Sequence, residues 1–290
     1  MNRILITGAS GQLGSAVTKL FIGSYDILLT DFVFPKDGKS RFEKMDITDE
    51  NSVRKTIKKF QPDIILHLAA MTDVDGCELN PQKANDVNVR GTKNLLEHFD
   101  GKFVFISTDY VFDGNSGPYS EADTPSPINE YGRSKLLAEN IVMDSGNPWL
   151  IVRTNVVYDY TENTQASFVK WVVDSLRNDI PILVVNDQWN NPTWTVALAS
   201  ALIEMIEKDF LGVWNYGGAE YIHRLEFAKE IAKVFELNKA LISPCRTQEL
   251  NQPAPRPLKG GLSTKKIKHA GIEPYLLRKS LEEIRKKMTL

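Results

Sequence analysis

The sequence predicts an α/β fold: a doubly wound parallel sheet with a smaller, mainly helical C-terminal lobe. Two observations carry this. Short apolar runs alternate with helix-period stretches through the first two thirds of the chain, the pattern of β-α-β units. A glycine-rich turn, Gly8-Ala-Ser10-Gly11-Gln12-Leu13-Gly14, sits between the first apolar run and the first helical stretch. After Arg153 the alternation loosens, and loops holding Pro181, Pro192 and Gly217-Gly218 separate helical patterns.

In chain order, the apolar runs predict strands at 3–7, 26–30, 63–68, 103–107, 149–153 and 182–185. Helices are predicted over 49–60, with Thr48 and Asp49 as caps, and over 85–99, where Val87, Leu95, Leu96 and Phe99 share helical spacing. Further helical patterns cover 167–177, 196–208 and 225–235. The economical division is a nucleotide-binding domain over 1–154 that also receives strands from about 180–216, and a discontinuous substrate lobe over 155–290. The proline-rich Gln252-Pro-Ala-Pro-Arg-Pro257 predicts an extended surface strap.

Composition excludes several classes. With 290 residues, 42% of them hydrophobic and 25% charged, the chain is long enough for a real core and is neither disordered nor supercharged. Its 35 Lys and Arg against 37 Asp and Glu leave a net charge of −2, which gives no general attraction to nucleic acid. The basic residues concentrated after Arg256 read as solvated helix faces, without the interleaved aromatics of single-strand binders. Cys77 and Cys245 lie far apart and outside any CxxC spacing, so neither a disulfide framework nor a zinc site is predicted, and a cytoplasmic location is expected. No apolar run approaches a membrane span, and the N-terminus lacks the apolar stretch of a secretory leader. His67, His98, His223 and His269 form no ligand pattern, so they read as structural or surface residues and no metal site is predicted.

Two motifs carry chemistry. In the glycine turn, small residues let the backbone approach a pyrophosphate, which sits on the N–H groups and positive dipole end of the following helix, as in Rossmann-type folds. The second strand ends at Asp31, where a carboxylate can bind the ribose hydroxyls of the cofactor adenosine. It would repel a 2′-phosphate, so Asp31 leans to NADH over NADPH, while Lys36 and Arg41 weigh the other way. The second motif is Tyr131-Gly-Arg-Ser-Lys135. Residues four apart share a helix face, so Lys135 can sit near the Tyr131 phenol, lower its pKa and make it a usable proton donor. Phe103 to Tyr110 brings Ser107, Thr108 and Asp109 to a strand's carboxyl end, where ligands collect in such sheets. The expected catalytic trio is Thr108 on the substrate carbonyl, Tyr131 as proton donor and Lys135 on the ribose, with Ser107 as the alternative hydroxyl. The same spacing in Tyr275-Leu-Leu-Arg-Lys279 follows Pro274, far from any strand end, and reads as non-catalytic.

The spacing of Gly8, Gly11 and Gly14 resembles that of the extended short-chain dehydrogenase/reductase family. By that resemblance Asp46-Ile47 lies along the adenine, Leu68-Ala69-Ala70 backs the adenosine and Asn88 is the family's helix asparagine. From Ser107 to Gly114, Pro118 to Glu121, Pro127 to Tyr131, Val185 to Thr193 and Arg256-Pro257 with Leu262, the chain resembles the dTDP-4-dehydrorhamnose reductase family. The resemblance implies NADPH or NADH as hydride donor, a nucleotide-sugar 4-ketone as substrate and Tyr131 as the proton source. It also implies Asp109 as a sugar contact and allows a homodimer. Arg256 suits a substrate diphosphate or a surface ion pair equally well. Val156 stands where the family often has a tryptophan that walls the sugar pocket, and Lys259-Gly260 replaces the usual Asn-Ser. Two other readings share these residues: a nucleotide-sugar epimerase or dehydratase, and a non-catalytic NAD(P)-binding regulatory subunit like the beta subunit of methionine adenosyltransferase.

Overall fold

The computed structural model describes residues 2–33, 41–160 and 167–288. Lys36 lies outside them. Six strands, β1 (Arg3–Thr7), β2 (Asp26–Asp31), β3 (Phe42–Lys44), β4 (Ile64–His67), β5 (Lys102–Thr108) and β6 (Trp149–Thr154), join Gly212–Asn215 in one seven-stranded sheet. Every pairing in it is parallel. From one edge the order runs Gly212–Asn215, β6, β5, β4, β1, β2, β3, so the direction of winding reverses between β1 and β4.

The sheet is buried on both faces, so its strands read as continuous apolar runs. Along each strand alternate residues serve opposite layers. Ile4, Ile6, Leu66, Val104 and Val152 pack toward helix α1 (Gln12–Phe21) and the Thr195–Glu207 helix. Leu5, Ile65, Phe103, Phe105 and Ile151 pack toward the helices Glu50–Phe60, Gly91–Glu97 and Glu130–Met143. The Asp49 carboxylate accepts the Asn51 N–H at 3.0 Å and so starts the first of these three.

The helical pattern of 85–99 is broken in the structure. Pro81–Asn85 and Gly91–Glu97 are α-helical, and Asp86–Arg90 between them is a π turn, a geometry common at functional sites. Of the stretch 180–216, Gly212–Asn215 joins the main sheet, whereas Ile182–Val185 pairs in parallel with Ile242–Cys245. A second core forms there from the helices Phe168–Arg177, Arg224–Val234 and Leu277–Met288, centred on Val172, Phe227, Ile231 and Leu281. The proline-rich strap crosses the surface with Ala254 buried, its N–H on Asp75 Oδ1 at 3.1 Å.

One buried ion pair ties the sheet to a helix. Arg153 Nε and Nη2 donate to the two Glu139 carboxylate oxygens at 2.9 and 2.7 Å, and the guanidinium also faces the Phe112 ring. A bidentate pair this deep is costly to break from one side, because the remaining charge is stranded without water. We expect Glu139→Gln to lower the free energy of unfolding by about 3 kcal/mol in urea denaturation. An unchanged midpoint would show that Arg153 finds another partner.

Candidate active site

A cavity of about 1050 Å³ runs along the carboxyl ends of β1, β2, β4, β5 and β6, spanning the point where strand order reverses. Open α/β sheets bind ligands at this position. One end is the glycine turn. Gly8 is left-handed at φ +69°, and a Cβ there would lie 2.6 Å from the Ala69 nitrogen; at Gly14 it would lie 2.5 Å from the Gly8 carbonyl oxygen. Only glycine lets the turn press this close to the end of β4. Helix α1 begins behind it with no side-chain cap and no acidic residue in its first turn, so its positive end is left for an anion. The turn, helix end and cavity volume therefore fit a dinucleotide.

Gly8, Gly11, Gln12, Leu13, Gly14, Asp31, Asp46, Ile47, Leu68, Ala69 and Ala70 all line this cavity. The Asp31 carboxylate accepts the Ser10 N–H at 2.9 Å and the Phe32 N–H at 2.7 Å, which fixes it at the mouth beside the turn. Arg41 turns away from it to pair with Asp26 at 2.9 Å. Asp46 Oδ1 accepts both the backbone N–H and the hydroxyl of Thr48.

The expected trio meets in the same cavity, with Asp109 and Val156. Asn129 caps the Glu130–Met143 helix through Gly132 N–H at 2.9 Å, which puts Tyr131 in the first turn. A Cβ on Gly132 would sit 2.1 Å from the Tyr110 carbonyl oxygen, so the glycine inside the motif is what lets the helix approach the end of β5. The Tyr110 and Tyr131 rings then meet edge to face at 5.6 Å. The Thr108 hydroxyl lies close enough to the Tyr131 phenol to act on it, and among the described residues the buried Ser107 Oγ has no hydrogen-bond partner.

Electrostatics differ from the sequence expectation in one respect. Burial raises the Tyr131 pKa, with Asp109 and Tyr110 adding to it and Thr108 opposing; Lys135 is not among the largest influences on it. Lys135 itself is pushed down to about 7 by burial, against the pull of Glu139, and its ammonium lies 3.9 Å from the Phe105 ring centre. The pair is therefore governed by loss of water before it is governed by mutual attraction.

Three expected residues lie off the cavity lining, each committed to the protein. Ser10 gives its N–H to Asp31. Asn88 joins Met71, through its backbone N–H and carbonyl, to the Ser134 hydroxyl, bracing the loop after β4 against the Tyr131 helix. Arg256 is paired with Asp75 at 2.8 Å and donates to the Ala254 carbonyl. Tyr275, in the look-alike motif, packs on Trp194 outside the cavity. Lining residues that motif reading missed include Lys83, Phe168 and Arg224. They lie on helices outside the glycine and tyrosine motifs, and spacing alone gives no sign that the fold delivers them here.

A family model described as the RmlD substrate binding domain matches residues 1–290. The chain belongs to this family. It is 34% identical to a dTDP-4-dehydrorhamnose reductase of Aggregatibacter actinomycetemcomitans, covering 98% of this chain and 99% of that one. Its fold is similar to that of a dTDP-4-dehydrorhamnose reductase from Bacillus anthracis solved in complex with NADP, with TM-score 0.89, 30% identity and 99% of each chain covered. It is also 33% identical to methionine adenosyltransferase 2 subunit beta of Rattus norvegicus, over 93% of this chain and 83% of the relative.

His67, beneath the cavity floor, bonds Thr7 Oγ1 at 2.7 Å and Thr92 Oγ1 at 3.1 Å, and burial lowers its pKa to about 3. The folded protein thus refuses a proton that the unfolded chain binds below about pH 6.5, so stability falls as pH drops from there toward 3. Between pH 7.5 and 5 the wild type should lose about 2 kcal/mol more than His67→Gln in parallel denaturation series. Equal losses would show that His67 takes up its proton in the fold at the same pH as in the unfolded chain.

Proposed function

We propose that the chain is an NAD(P)H-dependent reductase of a nucleotide-activated 4-ketosugar, converting dTDP-4-dehydro-L-rhamnose to dTDP-L-rhamnose. The observation that carries this is the convergence of the glycine turn, Thr108, Tyr131 and Lys135 on one cavity, in a chain similar end to end to reductases of that name.

The dinucleotide, when bound, supplies the hydride. Gly8 to Gly14 and the start of α1 hold its pyrophosphate, Asp31 its adenosine ribose, and Ile47 with Leu68 to Ala70 its adenine side. Thr108 donates a hydrogen bond to the ketone oxygen and Tyr131 delivers the proton that oxygen gains as the ketone becomes an alcohol. A raised phenol pKa keeps Tyr131 protonated at neutral pH, the state a donor needs. Lys135, poised near 7, places a cation beside the phenolate left behind. Asp109 and Val156 face the sugar, and Phe168 gives that wall an aromatic surface where Val156 does not. The likeness to methionine adenosyltransferase 2 subunit beta supports a second reading, a regulatory subunit that binds NAD(P) without turnover.

Absorbance at 340 nm with NADH or NADPH and dTDP-4-dehydro-L-rhamnose separates the two. Stoichiometric loss of signal is expected; a flat trace with intact cofactor binding would favour the regulatory subunit. Tyr131→Phe should lower turnover by about 100-fold or more while cofactor affinity stays within twofold, since only the proton donor is removed. If affinity falls in parallel, Tyr131 is principally a binding residue. Asp31→Ala should weaken NADH by about tenfold and NADPH less, because only NADH offers both ribose hydroxyls to the carboxylate. Equal weakening of the two in fluorescence titrations would show that Asp31 does not read the ribose.

A further inference from the structure

Arg224 opens the Arg224–Val234 helix and lines the cavity, yet neither the proposed cofactor site nor the proton transfer uses it. Its backbone is fixed by a hydrogen bond from its N–H to the Gln188 carbonyl at 3.1 Å. Its guanidinium lies over the Phe168 ring, 5.0 Å from the centroid, and close enough to Asp109 and Tyr110 to feel their charges. Among the described residues it makes no side-chain hydrogen bond or ion pair. The two other arginines with little-exposed side chains are both locked to carboxylates, Arg153 to Glu139 and Arg256 to Asp75. Asp109, the nearest candidate counter-ion, directs its Oδ2 to Asn155 and Gly261 instead.

A half-buried guanidinium that lines a cavity is a ready partner for an anion entering it. The Phe168 ring beneath it gives the group a cation–π partner, and a guanidinium offers several donors to a forked acceptor. We propose that Arg224 is the anion anchor of the substrate, binding the diphosphate of a nucleoside-diphosphate sugar, with the Phe168 ring supporting the guanidinium from one side. This rests on the nucleotide-sugar reading above and assigns to Arg224 the role that the sequence left open for Arg256.

The test is calorimetric titration of dTDP into protein saturated with NADP⁺, so that the dinucleotide site cannot take the ligand. Arg224→Gln should raise the dTDP Kd by about ten- to a hundredfold, and Arg224→Lys by less, since an ammonium keeps the charge but not the fork. Affinity for thymidine, which has no phosphate, and for NADP⁺ should stay within twofold. An unchanged dTDP Kd, or an equal loss of thymidine or NADP⁺ binding, would overturn the proposal and leave Arg224 as a structural balance for Asp109. Should Arg224→Gln not fold, Arg224→Lys decides on the same readings. Wild-type protein that takes UDP but not dTDP would refute the proposed nucleotide while the Arg224 variants, titrated with UDP, still test the anchor. Failure of the wild type to bind either diphosphate would refute the anchor itself.

Discussion

A carboxylate with almost no access to water ties the end of β5 to the end of β6 and to the segment around Gly261. Asp109, at the end of β5, is 4% exposed, and burial raises its pKa. An acid in such a place must be satisfied by donors. Its Oδ2 accepts from Asn155 Nδ2 at 3.2 Å and from the Gly261 N–H at 3.0 Å, the first from the end of β6 and the second from the C-terminal segment. Asn191 extends the chain, accepting from Leu262 N–H at 2.7 Å and from Asn155 at 3.4 Å. The placement of Thr108 and of the loop carrying Val156 follows from these bonds. Val156 adopts φ +42°, a left-handed conformation unfavourable for a β-branched residue, beside an asparagine already committed to the network.

The proposed chemistry depends on the same dryness. Tyr131 is kept protonated, Lys135 is brought near neutrality and His67 is held neutral, all chiefly by burial. The walls of the cavity thus resist creating new charge. A site of this kind favours proton transfer coupled to an arriving hydride over a free phenolate waiting in water. The buried pair of Arg153 and Glu139 stands behind it and supplies the negative charge that partly sustains Lys135.

Features encoded by short spacings were legible in the sequence. The strand runs, the glycine turn, the acid at the end of β2 and the four-residue interval from Tyr131 to Lys135 are local, and their physical reasons are local too. The three-residue β3 was not foreseen, because it is too short for its pattern to exceed the background, and Gly212–Asn215 was expected only as part of the broad stretch 180–216. The π turn at Asp86–Arg90 is set by what Asn88 must reach, Met71 and Ser134, neither of which is near it in the chain. Arg256 and Arg224 show the limit most clearly. Both are arginines in the last quarter of the chain, and only tertiary structure reveals that one is ion-paired with Asp75 while the other lies over Phe168 in the cavity wall.

The C-terminal segment that reaches Asp109 also fixes an order of assembly. Lys259 exchanges backbone hydrogen bonds with Gly114 and Gly117, Gly261 accepts from Tyr119 N–H, and Leu258 accepts from Trp189 N–H. Each contact spans tens to well over a hundred residues of sequence. A ribosome would therefore release β1 to β6, and with them the glycine turn and the Tyr131 helix, long before the segment 258–262 has been made. During synthesis the glycine turn and the Tyr131 helix can form first, and the buried acid acquires its Gly261 donor only about 150 residues after Asp109 itself has emerged.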